Sequence, residues 1–189
     1  MRRLPGLALT LAALTAAPLS AQRGNQPIDS AYTARILELT PTHPQYKFIT
    51  EMVDYMPSSA TVPTPLKVLG YVPGTIGRLA YSAEAAKYYR AVEAASKRVK
   101  VITIGKSEEG REIVAGIVAD ENTIAHLDDY KAILRKLTDP RGLSAADRAD
   151  LVKRGKPIYL LSGSLHSPET GSPEAMIEMF YRLDRKSVV

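Results

Sequence analysis

The sequence predicts an α/β fold in which a mixed sheet is flanked by helices. Segments with helical apolar spacing alternate along the chain with segments typical of strands, the pattern of a layered α/β domain. One pair of strand-like segments is joined by a short polar turn, and the continuous apolar run over residues 157–163 is typical of a strand buried on both faces. Of the 189 residues, those from 22 onwards, about 168, are enough for one such domain with a sizeable core.

Residues 1–21 have the features of a secretory signal. Arg2 and Arg3 precede an apolar stretch from Leu7 to Leu19, and the small residues Ser20 and Ala21 precede Gln22. The apolar stretch is too short for a spanning helix. We therefore expect export to the periplasm or the extracellular space, without membrane association after cleavage.

Composition limits the possible partners and metal ligands. Loss of the two signal arginines lowers the formal net charge from +5 to +3, and no run of five or six like charges occurs, so nucleic acid is not indicated as a partner. The chain contains no cysteine, which excludes disulfides and thiolate ligands. A bound metal would have to be held by His, Asp or Glu.

Residues 22–80 form a proline-rich N-terminal arm that is predicted to wrap or lead into the domain. Its prolines interrupt any long element, and only Tyr46–Tyr55 is periodic enough for a helix. The breaks are at Pro27, Pro41, Pro44, Pro57, Pro63, Pro65 and Pro73.

The next segments predict a helix followed by a β-hairpin. Ser82 is a candidate N-cap with Glu84 in the first turn, and apolar residues then recur at helical spacing as far as Ser96. The stretches 98–105 and 113–119 have strand character. The short polar turn between them predicts an antiparallel hairpin.

Three further helices are predicted beyond the hairpin. The first, Leu127–Leu137, ends before Asp139-Pro140 because a residue that precedes proline avoids helical geometry. The second starts at Ser144, which approximates a capping box with Asp147. The third covers 174–183 and is opened by Pro173. Beyond it, the tail 184–189 breaks the apolar periodicity.

The strongest functional signal is His166 followed three residues later by Glu169, at the end of the apolar run. A histidine that leaves a buried strand and a carboxylate across a tight turn can point at one cation, and zinc accepts this ligand pair in catalytic sites that keep a position for water. The alternative is a surface histidine, with Glu169 near a helix N-terminus where negative charge is favoured.

Other candidate sites are weaker. Gly105-Lys106-Ser107 lacks the upstream glycine of a phosphate-binding loop, and no nucleophile elbow surrounds Ser162 or Ser164. His43 in the arm and His126 at a helix start are interpreted as solvated or capping residues. Lys106 and Arg111 are interpreted as solvated turn residues.

Two motifs together carry a family resemblance. The segment Ile104-Gly-Lys-Ser-Glu-Glu-Gly-Arg-Glu-Ile113 and the later Gly163-Ser-Leu-His-Ser-Pro-Glu169 resemble the first half of the zinc carboxypeptidases, the M14 metallopeptidases. The resemblance implies an incomplete zinc-carboxypeptidase-like (phosphorylase/hydrolase-like) fold, with 81–189 as the N-terminal part of the peptidase domain. It also implies a Zn²⁺ cofactor with His166 and Glu169 as its first two protein ligands.

The same resemblance implies that the rest of the site lies beyond Val189. In the family, a third histidine ligand, an Asn-Arg pair for the substrate carboxylate, a tyrosine and the general-base glutamate follow downstream. We therefore expect this chain to be an N-terminal fragment that is inactive alone. Pro168 stands where the family often has arginine, which weakens the expectation of the usual substrate contact.

Three functional hypotheses follow. The first is an exported zinc-dependent metallocarboxypeptidase that hydrolyses C-terminal peptide bonds of peptides or of cell-wall peptides. The alternative is an exported non-catalytic binding module with a peptidase-like fold. The third is a surface or scaffolding domain that binds no metal.

Overall fold

The computed structural model describes residues 27–40 and 55–185, which form seven helices and one β-hairpin. The predicted signal segment, His43 and nearly all of the predicted helix Tyr46–Tyr55 lie outside these residues. No helix in the described part of the chain is long and apolar enough to cross a membrane. The elements are α1 (Ser30–Leu39), α2 (Pro65–Leu69), α3 (Ser82–Ala95), β1 (Val99–Lys106), β2 (Glu112–Val118), α4 (Glu121–Ala125), α5 (Leu127–Thr138), α6 (Ala145–Arg154) and α7 (Gly171–Arg185).

The predicted hairpin is confirmed. Strands β1 and β2 pair antiparallel from Val99 opposite Val118 to Lys106 opposite Glu112, with a register irregularity between Thr103 and Gly105. Val99 and Val101 are buried while the intervening Lys100 is exposed, which is the alternation of a strand with one covered face. Helices α3 and α7 pack against the hairpin and against each other.

One close contact fixes the position of α7 over the hairpin. The Phe180 ring stacks on the Tyr89 ring of α3, with centroids 4.2 Å apart. Its edge lies directly over Gly116 of β2, where an added Cβ would be 2.3 Å from Phe180 Cε2. A glycine is therefore required at this crossing because any side chain would overlap the ring.

The four helices predicted from local patterns are present. Helix α3 begins one residue earlier than predicted, because its N-cap residue is Tyr81 and not Ser82. The Tyr81 amide donates to Glu84 Oε2 at 3.0 Å. Helix α5 ends at Thr138, before Asp139-Pro140, and Ser144 caps α6 by accepting from the Asp147 amide at 3.1 Å. Helix α7 is longer than predicted at both ends.

The predicted absence of a long element in the arm, apart from Tyr46–Tyr55, is wrong. Helix α1 spans ten residues between Pro27 and Pro41, and Asp29 caps it by accepting from the Tyr32 amide at 2.9 Å. The prolines bracket this helix and leave its interior intact. Helix α2 begins with Pro65 at its first position, where the missing N–H costs nothing.

The arm is part of the core. Tyr88 of α3 and Tyr181 of α7 donate their hydroxyls to the carbonyls of Pro63 and Pro57, at 3.1 and 2.8 Å. The buried residues that the arm contributes to the same apolar cluster are Tyr32, Met56, Val62 and Val72.

A buried carboxylate ties the arm to α7. Glu174, in the first turn of the helix, accepts hydrogen bonds from the amides of Gly74 (3.2 Å) and Ala80. Its side chain is nearly inaccessible to solvent. Both ends of the segment 74–80 are thus held by one side chain of α7.

The predicted buried strand over 157–163 is wrong. The described residues have the predicted α/β combination of helices with a sheet, but the mixed sheet is not confirmed. The sheet in the described residues has two antiparallel strands, and residues 155–164 form neither strand nor helix. Ile158, Tyr159 and Leu160 are 76%, 86% and 82% exposed. A strand is defined by hydrogen bonds to a neighbour, and no described segment pairs with this one, so its apolar composition has no sheet to join.

The tail residue Asp184, predicted to interrupt the apolar face of the last helix, is fully buried. Its carboxylate accepts from Ser96 Oγ at 2.6 Å and from Arg185 Nε at 2.9 Å. The polar residue therefore belongs to the interface between α7 and the turn that follows α3. Its local sequence gives no sign of this because both Ser96 and the turn are distant in the chain.

Lys156 anchors the start of the irregular segment that leads towards His166. Its ammonium donates to Asp120 Oδ2 at 2.9 Å and to Thr123 Oγ1 at 2.6 Å, and it lies over the Tyr130 ring. The hydrogen bonds from Thr123 and Lys156 hold the pKa of Asp120 well below its usual range.

This depressed pKa predicts an acid-dependent contribution to stability. The unfolded chain binds a proton at Asp120 more readily than the folded chain, so the contribution is complete above about pH 5 and is lost as the pH falls through the folded pKa. The difference in urea midpoint between the wild type and Asp120→Asn should narrow from pH 7 to pH 3. An equal difference at both pH values would contradict the prediction.

Candidate metal centre

His166 and Glu169 lie in a tight loop between the irregular segment and α7. The loop turns at Ser164, whose φ of 63° places it in the left-handed region. The Ser164 amide donates to Ser172 Oγ at 2.9 Å, and the Glu169 amide donates to the His166 carbonyl at 3.0 Å. The first bond fastens the loop to the first turn of α7, and the second closes the turn between the two candidate ligands.

Gly163 allows the loop to approach the helix closely. A Cβ at this position would be 3.1 Å from Met176 Cγ and 3.2 Å from the carbonyl carbon and oxygen of Ser172. The second of these neighbours is backbone, which cannot rotate away. The small residue before the motif therefore sets how near His166 comes to α7.

The structure brings the two predicted ligands together. His166 Nδ1 and Glu169 Oε1 are 2.7 Å apart and share a hydrogen bond in which the carboxylate accepts. The other carboxylate oxygen, Oε2, accepts from the Leu165 amide at 3.0 Å and from the His166 amide at 3.1 Å. The carboxylate is therefore oriented by the backbone of its own loop, independently of the imidazole.

These bonds change the acidity of the carboxyl group. The hydrogen bond from the His166 ring, together with those from the His166 and Leu165 amides, lowers the pKa of Glu169. The group is therefore ionised throughout the neutral range, as a metal ligand must be. Both side chains are solvent-accessible, so an ion could reach them.

The two side chains are of types that zinc accepts as ligands. Two ligands bound tetrahedrally at the usual zinc distances are about 3.4 Å apart. The pair at 2.7 Å would have to open by about 0.7 Å to admit the ion. Among the described residues no group of three or more His, Asp or Glu side chains converges. His166 and Glu169 would therefore be two candidate ligands, short of the three that a catalytic zinc site takes from the protein.

The other residues noted in the sequence are not candidate ligands. His126 joins α4 to α5, and its Nδ1 contacts the Asn122 carbonyl at 2.8 Å, in keeping with a capping role. Arg111 is an exposed turn residue that pairs with Glu109 at 2.6 Å. Pro168 is part of the turn between the two candidate ligands, and its carbonyl accepts from the Thr170 amide at 2.9 Å.

Sequence reasoning missed the residues that support the loop. Ser172 bonds the Ser164 amide and the Glu169 carbonyl, at 2.9 and 3.3 Å. A serine near the start of a predicted helix is a known signal for hydrogen bonds to the backbone at that end. Because the helix was predicted to begin at Glu174, Ser172 was not considered for this role. The role of Glu174 in holding the arm to α7 was also missed, because its partners Gly74 and Ala80 are far away in sequence.

The family model for zinc carboxypeptidases, peptidase M14, matches residues 86–186, which is more than half of the chain. The match begins in α3 and includes the hairpin, the His166–Glu169 loop and α7. No match to a curated protein or to a solved structure was found. The resemblance inferred from the hairpin turn and the His-x-x-Glu motif is thereby confirmed, and the chain belongs to the zinc carboxypeptidase family of peptidases.

Proposed function

We propose that this chain is the N-terminal part of an exported zinc-dependent metallocarboxypeptidase, which hydrolyses C-terminal peptide bonds. Family membership supports the peptidase class. The observation that carries the zinc assignment is the 2.7 Å approach of His166 Nδ1 to Glu169 Oε1 in a loop that fixes both residues. Peptides, including those of cell walls, are the proposed substrates.

In this proposal His166 and Glu169 hold the metal and take no part in proton transfer. Bound zinc would polarise the scissile carbonyl and lower the pKa of a water molecule. The amides of Leu165 and His166 keep the Glu169 carboxylate in place, and Ser172 keeps the loop on α7. A third histidine, the carboxylate-binding pair and the general base are proposed to follow residue 189, in line with the family resemblance.

Zinc binding by the chain itself tests the ligand assignment. Competition with a chromophoric chelator should reveal a weak site, and His166→Ala should weaken it at least about tenfold because half of the protein ligands are lost. His126→Ala is the matched control, since that histidine contacts a backbone carbonyl at a helix junction. If His166→Ala took up as much zinc as the wild type, the hypothesis of a surface or scaffolding domain that binds no metal would be favoured.

The reading frame beyond codon 189 tests the enzyme assignment. A frame that continues with a histidine, an Asn-Arg pair and a late glutamate should yield a protein that shortens peptides from their free C-terminus, and this activity should be lost with a chelator. A frame without the histidine or the glutamate would favour the exported binding module, which Pro168 also favours. Export is tested by N-terminal sequencing of the secreted protein, with Gln22 expected first.

A further inference from the structure

A cavity of about 790 Å³ lies beside the loop that carries the candidate ligands. Its walls come from the first turns of α3, the hairpin turn and the His166–Glu169 loop. Ser164 and Ser167, which flank His166, line it directly. A group bound here would be a neighbour of anything held at the candidate metal centre.

The charged residues of the cavity wall are mainly basic. They comprise three cations and one carboxylate: Lys87, Arg90, Arg111 and Glu112. Arg90 pairs with Glu112, and Arg111 pairs with Glu109, which is not part of the wall. Lys87 makes no ion pair with any described residue.

Such pairs leave the cations available. Both arginines and both glutamates are substantially exposed, and exposed pairs contribute little to stability. A guanidinium can exchange one carboxylate for another, and it can bind the new one through two parallel hydrogen bonds. The exposed side chains of Leu79 and Tyr81 add an apolar wall suited to the rest of a peptide.

We propose that this cavity binds an acidic side chain of a peptide substrate through Lys87 and Arg111. The proposal rests on the proposed peptidase function and names a preference for acidic residues near the cleaved bond. Lys87 supplies an uncompensated charge, and Arg111 supplies a planar donor once Glu109 is displaced. Specificity of this kind follows from charge complementarity between the wall and the substrate.

Binding of two matched peptides tests the proposal without zinc. We would titrate the ¹⁵N-labelled chain with acetyl-Ala-Glu-Ala and with acetyl-Ala-Gln-Ala, and follow the amide resonances of the α3 N-terminus and the hairpin turn. The glutamate peptide should bind more tightly. Lys87→Gln should weaken its binding about three- to fivefold, the upper part of the range for one exposed ion pair.

Variants separate this site from general charge effects. Glu109→Gln should strengthen binding of the glutamate peptide because it frees Arg111. Lys136→Gln, which removes an exposed cation of α5, should leave binding unchanged. Equal binding of both peptides, binding of neither, or no effect of Lys87→Gln in a chain with a native-like spectrum would overturn the proposal.

The same titration distinguishes failure of this proposal from failure of the zinc assignment. His166→Ala should bind the glutamate peptide as the wild type does, because neither Lys87 nor Arg111 depends on that ring. Lys87→Gln should bind zinc as the wild type does. If the chain failed to discriminate between the peptides but still bound zinc through His166, only the cavity proposal would be contradicted. If it failed to bind zinc but still preferred the glutamate peptide, only the zinc assignment would be contradicted.

Discussion

Replacing Asp184 by alanine is expected to lower the free energy of unfolding by about 3 kcal/mol, since it removes the buried carboxylate of an ion pair together with its hydrogen bond from Ser96. The Asp184 carboxylate is fully buried, and it accepts from Arg185 and from Ser96. The Arg185 side chain is partly exposed to solvent. The expected loss of stability is therefore at the lower end of the range of about 3–5 kcal/mol for breaking a buried ion pair. Urea unfolding monitored by circular dichroism measures the change.

The matched control is Asp150→Ala on α6. Asp150 pairs with Arg154 one helical turn away, and both side chains are exposed. Loss of this pair should change stability by less than about 0.5 kcal/mol. Equal effects of the two substitutions would show that Asp184 is not held in a buried network.

Replacing Gly116 by alanine is expected to destabilise the chain by about 1–3 kcal/mol through overpacking. The new Cβ would be 2.3 Å from Phe180 Cε2 and 2.7 Å from Cζ. The Phe180 ring is buried and stacked on Tyr89, so it cannot move aside without disturbing α3. The expected result is a lower urea midpoint, with an unchanged dependence of the free energy of unfolding on urea concentration.

Gly105→Ala provides the comparison within the same hairpin. A Cβ at Gly105 of β1 meets nothing within 4 Å, and this glycine does not have a positive φ. Its substitution should be nearly neutral, within about 0.5 kcal/mol. If Gly116→Ala were equally neutral, the close crossing of α7 over β2 would be wrong.

The parts of the fold that were predicted correctly depend on local signals. The hairpin follows from two alternating runs and a polar turn, and α5 and α6 are delimited by Asp139-Pro140 and by the Ser144 cap. The prediction of a strand over 157–163 was wrong because a strand needs a pairing partner elsewhere in the chain, which the local sequence does not reveal. Helix α1 was missed because the surrounding prolines were interpreted as a property of the entire arm.

The candidate site divides in the same way. The pairing of His166 with Glu169 could be predicted because three residues across a turn leave few arrangements. The basic cavity could not, since Lys87 and Arg111 belong to different elements and only the packing of α3 beside the hairpin turn brings them together. Arg111 was accordingly interpreted as a solvated turn residue. This interpretation is correct about its exposure but does not place it in the wall of the cavity.

The bonds from Glu174 to Gly74 and Ala80 have a consequence for the order of folding. They join groups 100 and 94 residues apart, and the Tyr181 bond to Pro57 spans 124 residues. Contacts of such high sequence separation form slowly because a long loop must close first. During synthesis, the arm emerges well before α7 and cannot complete its hydrogen bonds until that helix has been made. The arm is therefore made early but is among the last parts of the chain to complete its native contacts.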